Sequence, residues 1–489
     1  MTRARTLWGK VVLNGNNSQE LIDKDMARAA RDVQMPAKTK YMAMQIGAAC
    51  VLLLWAISEC LNNEQSGAKI WNDPTFAIFM CIGDFLLLQL MWGISMYVWK
   101  KSGIDFNQLL SLQHTELAES KTPALLPINS VAQLSIVFLV VFIVFNKLVR
   151  WSMNGYFTIA YAHVVPVLLC IFILCKAFFP FDSRKKWLAM FGRVLLAPGF
   201  SVIFRDGYIG DILTSLVRVL VPCAFSLMYL CISIYAWLFN DLQWTISTSD
   251  DWWTHNSAFH YILIPILTIY PLWIRLVQCL RRSVETGHRW PHMVNGLKYT
   301  SAIVVISLAT FQPSVRQNSL WILSFIGATV FQFLWDLFQD WGMVSVSVPA
   351  NGNVFNATIE LRSKRLLGPA WLYVTVMLFN LVLRFAWTLT LLPSPEPEDG
   401  FSFYAVVVSH IGPIVAAAEI VRRMIWGFYR LEWEQLEILQ KINLVKPNGN
   451  VVDGMSKVSK VMYSILFHSS LMMFFFFTAD YYKRLRQCR

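Results

Sequence analysis

Apolar residues gather along this chain in runs of about 20, divided by short polar stretches, and the alternation repeats from Tyr41 almost to the C-terminus. Ten runs are long enough to cross a hydrocarbon core of about 30 Å. They cover residues 41–61, 75–99, 131–149, 157–179, 209–239, 261–280, 299–311, 320–341, 370–392 and 403–428, and the short seventh draws on 292–298. The runs are continuous rather than alternating in twos, which excludes a β-barrel. Each predicts a helix, because a backbone in lipid must satisfy its own polar groups. An eleventh apolar stretch, 461–479, either spans or lies along the interface. Between the fourth and fifth runs, residues 187–204 mix aromatic, basic and apolar positions and predict an interfacial helix. The expected fold is an all-α polytopic membrane protein of about ten transmembrane helices, with a possible eleventh at the C-terminus. Internal repeats and low-complexity tracts are absent.

Composition agrees. With 56% hydrophobic and 15% charged residues among 489, the chain is too apolar for a soluble globular protein. Loop charges then set the orientation. Arg184, Lys185, Lys186, Arg193 and Arg205 share one loop, whereas 240–257 carries no Lys or Arg and three Asp. The positive-inside rule puts both ends of the ten-span unit in the cytosol, with Lys147 and Arg150 as a departure. The net charge of +12 is spread over these loops, so nucleic acid is not implied. The first forty residues are polar and basic with no cleavable signal, so the first run acts as an uncleaved anchor. The organisation expected is a cytosolic tail over 1–40, four helices over 41–179, a six-helix core over 180–435 and a C-terminal segment over 436–489. Nine cysteines fall mostly inside apolar runs and form no C-x-x-C pair, which implies neither a disulfide frame nor a metal site. The chain lacks Gly-x-Ser-x-Gly, a P-loop and His-Glu-x-x-His, so it is not expected to be an enzyme and no cofactor is implied. His163 and His410, in apolar runs without an acid one turn away, are expected to be packing residues.

The chemistry lies in charges set inside the apolar runs: Asp211, Arg218, Arg275, Asp336, Asp340, Arg384, Glu419, Arg422 and Arg423. A charge at the bilayer centre costs roughly 2.5–3.5 kcal/mol on insertion scales. Such residues persist when they pair or line a wet cavity, and the usual reason for a wet cavity is a transported solute. Arginine together with carboxylates points to an anion, because a guanidinium fork matches the oxygens of phosphate or carboxylate. Helical spacing puts Asp336 and Asp340 on one face, Asp211 and Arg218 on another, and Glu419 beside Arg422 and Arg423. Arg384 lies three residues from Trp387.

Several strings in order resemble the EXS domain, the membrane region of the phosphate exporter family. They are Arg193-Val-Leu-Leu-Ala-Pro-Gly, Gly210-Asp-Ile-Leu-Thr-Ser, Arg275-Leu-Val-Gln-Cys-Leu-Arg-Arg and Pro291-His-Met-Val-Asn-Gly-Leu-Lys-Tyr. Trp335-Asp-Leu-Phe-Gln-Asp-Trp-Gly, Leu383-Arg-Phe-Ala-Trp-Thr and Glu419-Ile-Val-Arg-Arg-Met-Ile-Trp-Gly-Phe-Tyr-Arg-Leu-Glu follow, so the match runs from about 180 to 435, with looser similarity back to the first span. The resemblance implies an inorganic phosphate pathway through the last six spans. Its anion-contacting and gating positions fall on Asp211, Ser215, Arg275, Arg289, Lys298, Tyr299, Asp336, Asp340, Arg384, Trp387, Glu419, Arg422 and Arg423. Thr214 stands where the family often has Asn. The resemblance also implies a homodimer in a lipid bilayer. Forty residues before the first run are too few for the SPX domain of the regulated exporters, which points to the SPX-less branch. That branch implies a Golgi or other endomembrane location and an alternative role as a scaffold retaining glycosyltransferases.

Overall fold

A computed structural model of the protein describes residues 39–62, 73, 75–112, 125–239, 259–311, 319–347, 358–386 and 411–444. Twelve helices of more than one turn carry the argument. They are α1 (Thr39–Asn62), α2 (Phe76–Lys101), α3 (Leu125–Met153), α4 (Ala160–Phe178), α5 (Phe181–Leu195) and α6 (Phe204–Ser215). After these come α7 (Val217–Phe239), α8 (Ile264–Thr286), α9 (His292–Phe311), α10 (Ser319–Trp335), α11 (Ala370–Arg384) and α12 (Ile411–Leu444). Among the described residues, seven helices are long and apolar enough to cross a membrane. The helices α9, α11 and α12, whose runs make up the rest of the expected ten, are shorter or more polar. The C-terminal stretch 461–479 lies outside the described residues.

The bundle has two sides. On one, α2, α3, α4 and α7 close over Ile78, Phe79, Ile82, Phe145, Ala162, Val167 and Phe225. The helix α1 lies on α3 through Ala56, Leu139 and Ile143. Near the end of α1, Glu59 accepts from Arg150 Nη2 at 3.0 Å and lies 3.6 Å from Lys147 Nζ. The Lys147 ammonium also rests over the Trp55 ring. These two bases break the loop-charge pattern because they answer a carboxylate on a neighbouring helix. His163 likewise has an acid, brought from another element: its Nε2 lies 2.8 Å from Asp73 Oδ2. Burial works against the Asp73 charge, but the His163 ring and the Thr75 donors outweigh it and hold the carboxyl below the usual aspartate range.

Three local expectations need correction. Residues 209–239 do not form one helix. Leu216 leaves helical geometry (φ −86°, ψ 4°) and its N–H bonds three residues back, to Leu213. Thr214 Oγ1 donates to the Asp211 carbonyl and so competes with the ladder, and Pro222 has no N–H to give. Arg218 therefore starts a new helix, is exposed, and does not share a face with Asp211. The predicted interfacial helix over 187–204 is instead α5, followed by a tight turn at Ala197–Gly199. The Leu195 carbonyl accepts from Tyr270 Oη at 2.9 Å, while the Val202 carbonyl accepts from Arg282 at 3.1 Å. Those two α8 residues are about 18 Å apart along the helix, so the segment 195–202 that follows α5 runs beside α8. Finally, the all-α class admits one small sheet: β1 (Val344–Ser347) pairs antiparallel with β2 (Thr358–Leu361).

Beside that sheet, Trp99, Leu110, Trp341, Met343, Tyr373, Trp426 and Tyr429 form an aromatic core that joins α2, α11 and α12. Inside it, Glu432 is fully buried and accepts from Arg362 Nη2 (2.7 Å), Leu366 N (2.5 Å) and Tyr373 Oη (2.5 Å). This end carries the basic loop Arg362, Lys364 and Arg365, which the positive-inside rule expects in the cytosol. The sequon at Asn356, outside the described residues, is then expected to stay unglycosylated in the full chain. A glycosidase-sensitive mass shift that Asn356→Gln abolishes would reverse the orientation.

Candidate functional site

The charges of the second half converge between α6, α8, α9, α10, α11 and α12. On α8, Arg275 is buried and grips Asp211 of α6 with both edges of its fork, Nε to Oδ1 at 2.8 Å and Nη2 to Oδ2 at 3.1 Å. Tyr299 of α9 donates to the same Oδ1 at 2.5 Å. The remaining edge of Arg275 bonds Gln278 Oε1 at 2.6 Å, and Gln278 Nε2 reaches the Asp206 carbonyl. This approach needs glycine on α6. A Cβ on Gly210 would sit 2.5 Å from Arg275 Cδ and 2.8 Å from Gln278 Oε1. Gly210→Ala is therefore expected to displace Arg275 and destabilise the protein by about 1–3 kcal/mol, which thermal unfolding of the two proteins checks.

A second knot joins α10, α11 and α12. Asp336 opens a π-helical turn, Asp336–Asp340, that continues α10. Its Oδ2 accepts from Arg384 Nε (3.0 Å), Arg384 Nη2 (2.5 Å) and Asn380 Nδ2 (2.9 Å). The third edge of Arg384 bonds Gln332 at 2.8 Å. Arg422 donates through Nε to Glu419 at 2.7 Å, pairs with it again through Nη2, and bonds Asn380 Oδ1 at 3.1 Å. Arg423 turns the other way. Its Nε donates to Ser215 Oγ of α6 at 2.7 Å, and its guanidinium stacks over Trp426.

Lys298 lies between the two knots, buried, with its ammonium 4.7 Å from the Tyr299 ring and 5.4 Å from the Trp335 ring. Asp340 accepts from Trp426 Nε1 at 3.3 Å. Three arginines are thus matched by three carboxylates: Arg275 by Asp211, Arg384 by Asp336 and Arg422 by Glu419. Among the described residues, Arg423 and Lys298 have no carboxylate within ion-pair distance, and Asp340 has no such cation. The group carries one positive charge more than it neutralises. Both Asp211 and Asp336 lie in the electrostatic reach of Arg423 and Lys298, so the two knots share one field.

The EXS family profile matches residues 75–436 of this arrangement. The chain belongs to the EXS family. It is 26% identical over 411 residues to the SPX and EXS domain-containing protein 1 of Dictyostelium discoideum, an overlap of 81% of this chain and 40% of that one. Against the phosphate transporter PHO1-2 of Oryza sativa it is 25% identical over 448 residues, 87% of this chain and 49% of the relative. Against the human solute carrier family 53 member 1 it is 24% identical, with 86% and 60% covered. The chain spans about half or less of the length of the first curated relatives it matches, 40–51%.

The EXS match takes in α2, α3 and α4, where the resemblance is looser, as well as the core. Within that core the structure gathers Asp211, Ser215, Arg275, Lys298, Tyr299, Asp336, Asp340, Arg384, Glu419, Arg422 and Arg423. It leaves Arg289 apart, exposed in the turn between α8 and α9. Trp387 lies outside the described residues. Sequence reading missed Gln278, Gln332 and Asn380, the neutral groups that complete each arginine. Each stands three or four residues from a buried charge inside an apolar run, and that spacing was the available signal.

Proposed function

We propose that this chain is a membrane transporter of inorganic phosphate, and that the anion passes through the core formed by α6 and α8–α12. Two named relatives are phosphate transporters or solute carriers, and the proposal carries that property to this chain. The observation that supports it most is the pair of cations without carboxylates, Arg423 and Lys298, held inside a bundle where the other arginines are matched. A charge taken out of water and left without a partner is costly, so a mobile counter-ion is the economical way to offset it. An anion seated there would meet planar and point donors together. The matched carboxylates would keep the arginines in place and keep the anion from binding too tightly to leave.

Flux of radiolabelled phosphate into liposomes holding the purified full chain tests the reading. Uptake above that of empty liposomes, abolished by heat denaturation, is expected. A purified protein that moves no phosphate in either direction would remove the transport reading and favour a scaffold whose charges only fix helix packing.

A further inference from the structure

Asp84 is the one acid on α2, and it takes no part in the ionic core. It sits about 12 Å along the helix from Phe76, while Lys100 and Lys101 lie about 24 Å further on. Its side chain is buried, yet among the described residues the carboxylate has no hydrogen-bond donor and no cation within ion-pair distance. The cations of the surrounding helices are placed elsewhere. Lys147 and Arg150 of α3 answer Glu59, His163 of α4 meets Asp73, and Lys176 is exposed at the far end of α4. Arg218 of α7 has Glu419 in its electrostatic reach, and Arg422 and Arg423 of α12 belong to the ionic core. The titratable neighbours of Asp84 are thiols: Cys81 one turn back, which touches Cys223 of α7 and has Cys170 of α4 nearby. Helical spacing puts Asp84 on one face with Leu88 and Met91. Those two pack with Leu216 and Val219, at the break between α6 and α7, and with Ala416, Ile420 and Met424 of α12. The carboxylate therefore stands beside that break and beside the helix that carries Arg422 and Arg423.

We propose that Asp84 binds a proton that crosses the membrane with the anion, so that this chain couples phosphate movement to a proton gradient. The inference rests on the transport reading above. A bare carboxylate among apolar groups is costly, and no side chain is placed to neutralise it. A metal cation would need several oxygens around it, whereas a proton needs only the carboxylate. Within a bundle of low dielectric, an anion at Lys298 and Arg423 and a negative charge on Asp84 repel each other. A proton on Asp84 therefore favours the anion, and by reciprocity the anion favours the proton. A singly charged phosphate and a proton taken up together leave the net charge of the bundle unchanged.

The test is uptake of radiolabelled phosphate into liposomes holding the purified full chain, with the membrane potential clamped. External pH is fixed, so the phosphate species outside stay constant, and internal pH is varied. An alkaline interior is expected to drive accumulation by the wild type. Asp84→Asn, neutral and of the same shape, should still bring phosphate to equilibrium but without that drive. For one proton per anion, its steady-state level should fall below the wild type by roughly tenfold per pH unit of gradient. Asp84→Glu keeps the acid and should keep the response. A readout independent of flux is the infrared carbonyl band of a protonated carboxylic acid, which an ionised carboxylate lacks. In protein loaded with phosphate that band should lose intensity on Asp84→Asn. Wild-type accumulation indifferent to internal pH, an equal response from Asp84→Asn, or an acid band untouched by that substitution would overturn the inference and leave phosphate transport standing. Wild-type protein that moves no phosphate under any gradient would remove both.

Discussion

Arg384→Ala is expected to abolish phosphate uptake, and Arg384→Lys to reduce it by roughly tenfold or more. The guanidinium holds Asp336 with two of its nitrogens and Gln332 with a third, so it fixes the wall beside Arg422 in one arrangement. Lysine keeps the charge but has no planar fork with which to hold all three contacts, and charge-assisted bonds are worth about 1.5–3 kcal/mol each. Alanine goes further and leaves the buried Asp336 with Asn380 and a more distant Arg422 at 4.0 Å. Breaking a buried pair from one side costs roughly 3–5 kcal/mol. Loss of function and loss of stability are separable here. Adding Asp336→Asn to Arg384→Ala removes the stranded charge, so thermal stability should recover while uptake does not. Uptake by Arg384→Ala at the wild-type rate, with matched protein in the membrane, would show that this arginine belongs to the packing and not to the pathway.

Glu432→Ala is expected to be the most destabilising single change at the end of the bundle that carries the small sheet, by roughly 3–5 kcal/mol. The carboxylate is inaccessible to solvent and receives three donors from three places: Arg362 after β2, the backbone of Leu366, and Tyr373 on α11. Removing it orphans all of them at once, and the Arg362 guanidinium, stacked over Trp433, would lose its counter-charge. Glu432→Gln keeps the shape and one acceptor, so it should cost less than alanine. The midpoint of thermal unfolding for the three proteins gives the order directly. A midpoint for Glu432→Ala within a degree of the wild type would show that water replaces the carboxylate at no cost.

Much of this is legible in the sequence. The apolar runs name the helices because lipid leaves the backbone no other choice, and buried charges stand out against those runs. Pairings were harder. Spacing within one helix linked Glu419 to Arg422 correctly, but it also offered Arg423, which the fold turns toward Ser215 on another helix. The same local rule joined Asp211 to Arg218 across a helix that in fact ends between them, and the true partner, Arg275, is 64 residues away. Glu59 could not be matched to Lys147 and Arg150 for the same reason. Distances along a chain carry information about one turn of helix; the rest depends on which helices meet. Neutral residues such as Asn380 gain their meaning only once both arginines around them are in view.

The interruption at Leu216 has a consequence for how the core could move. Up to Ser215 the chain keeps company with the ionic core, through Asp211 on Arg275 and Ser215 on Arg423. Beyond Val217 it belongs increasingly to the other side, where Phe225, Tyr229 and Leu230 pack with α2, α3 and α4. A continuous helix would have transmitted any tilt of one side rigidly into the other. Here the seam already lacks the regular ladder, so α6 can swing with the ionic core while α7 stays seated in its neighbours, and no intact turn has to break for it.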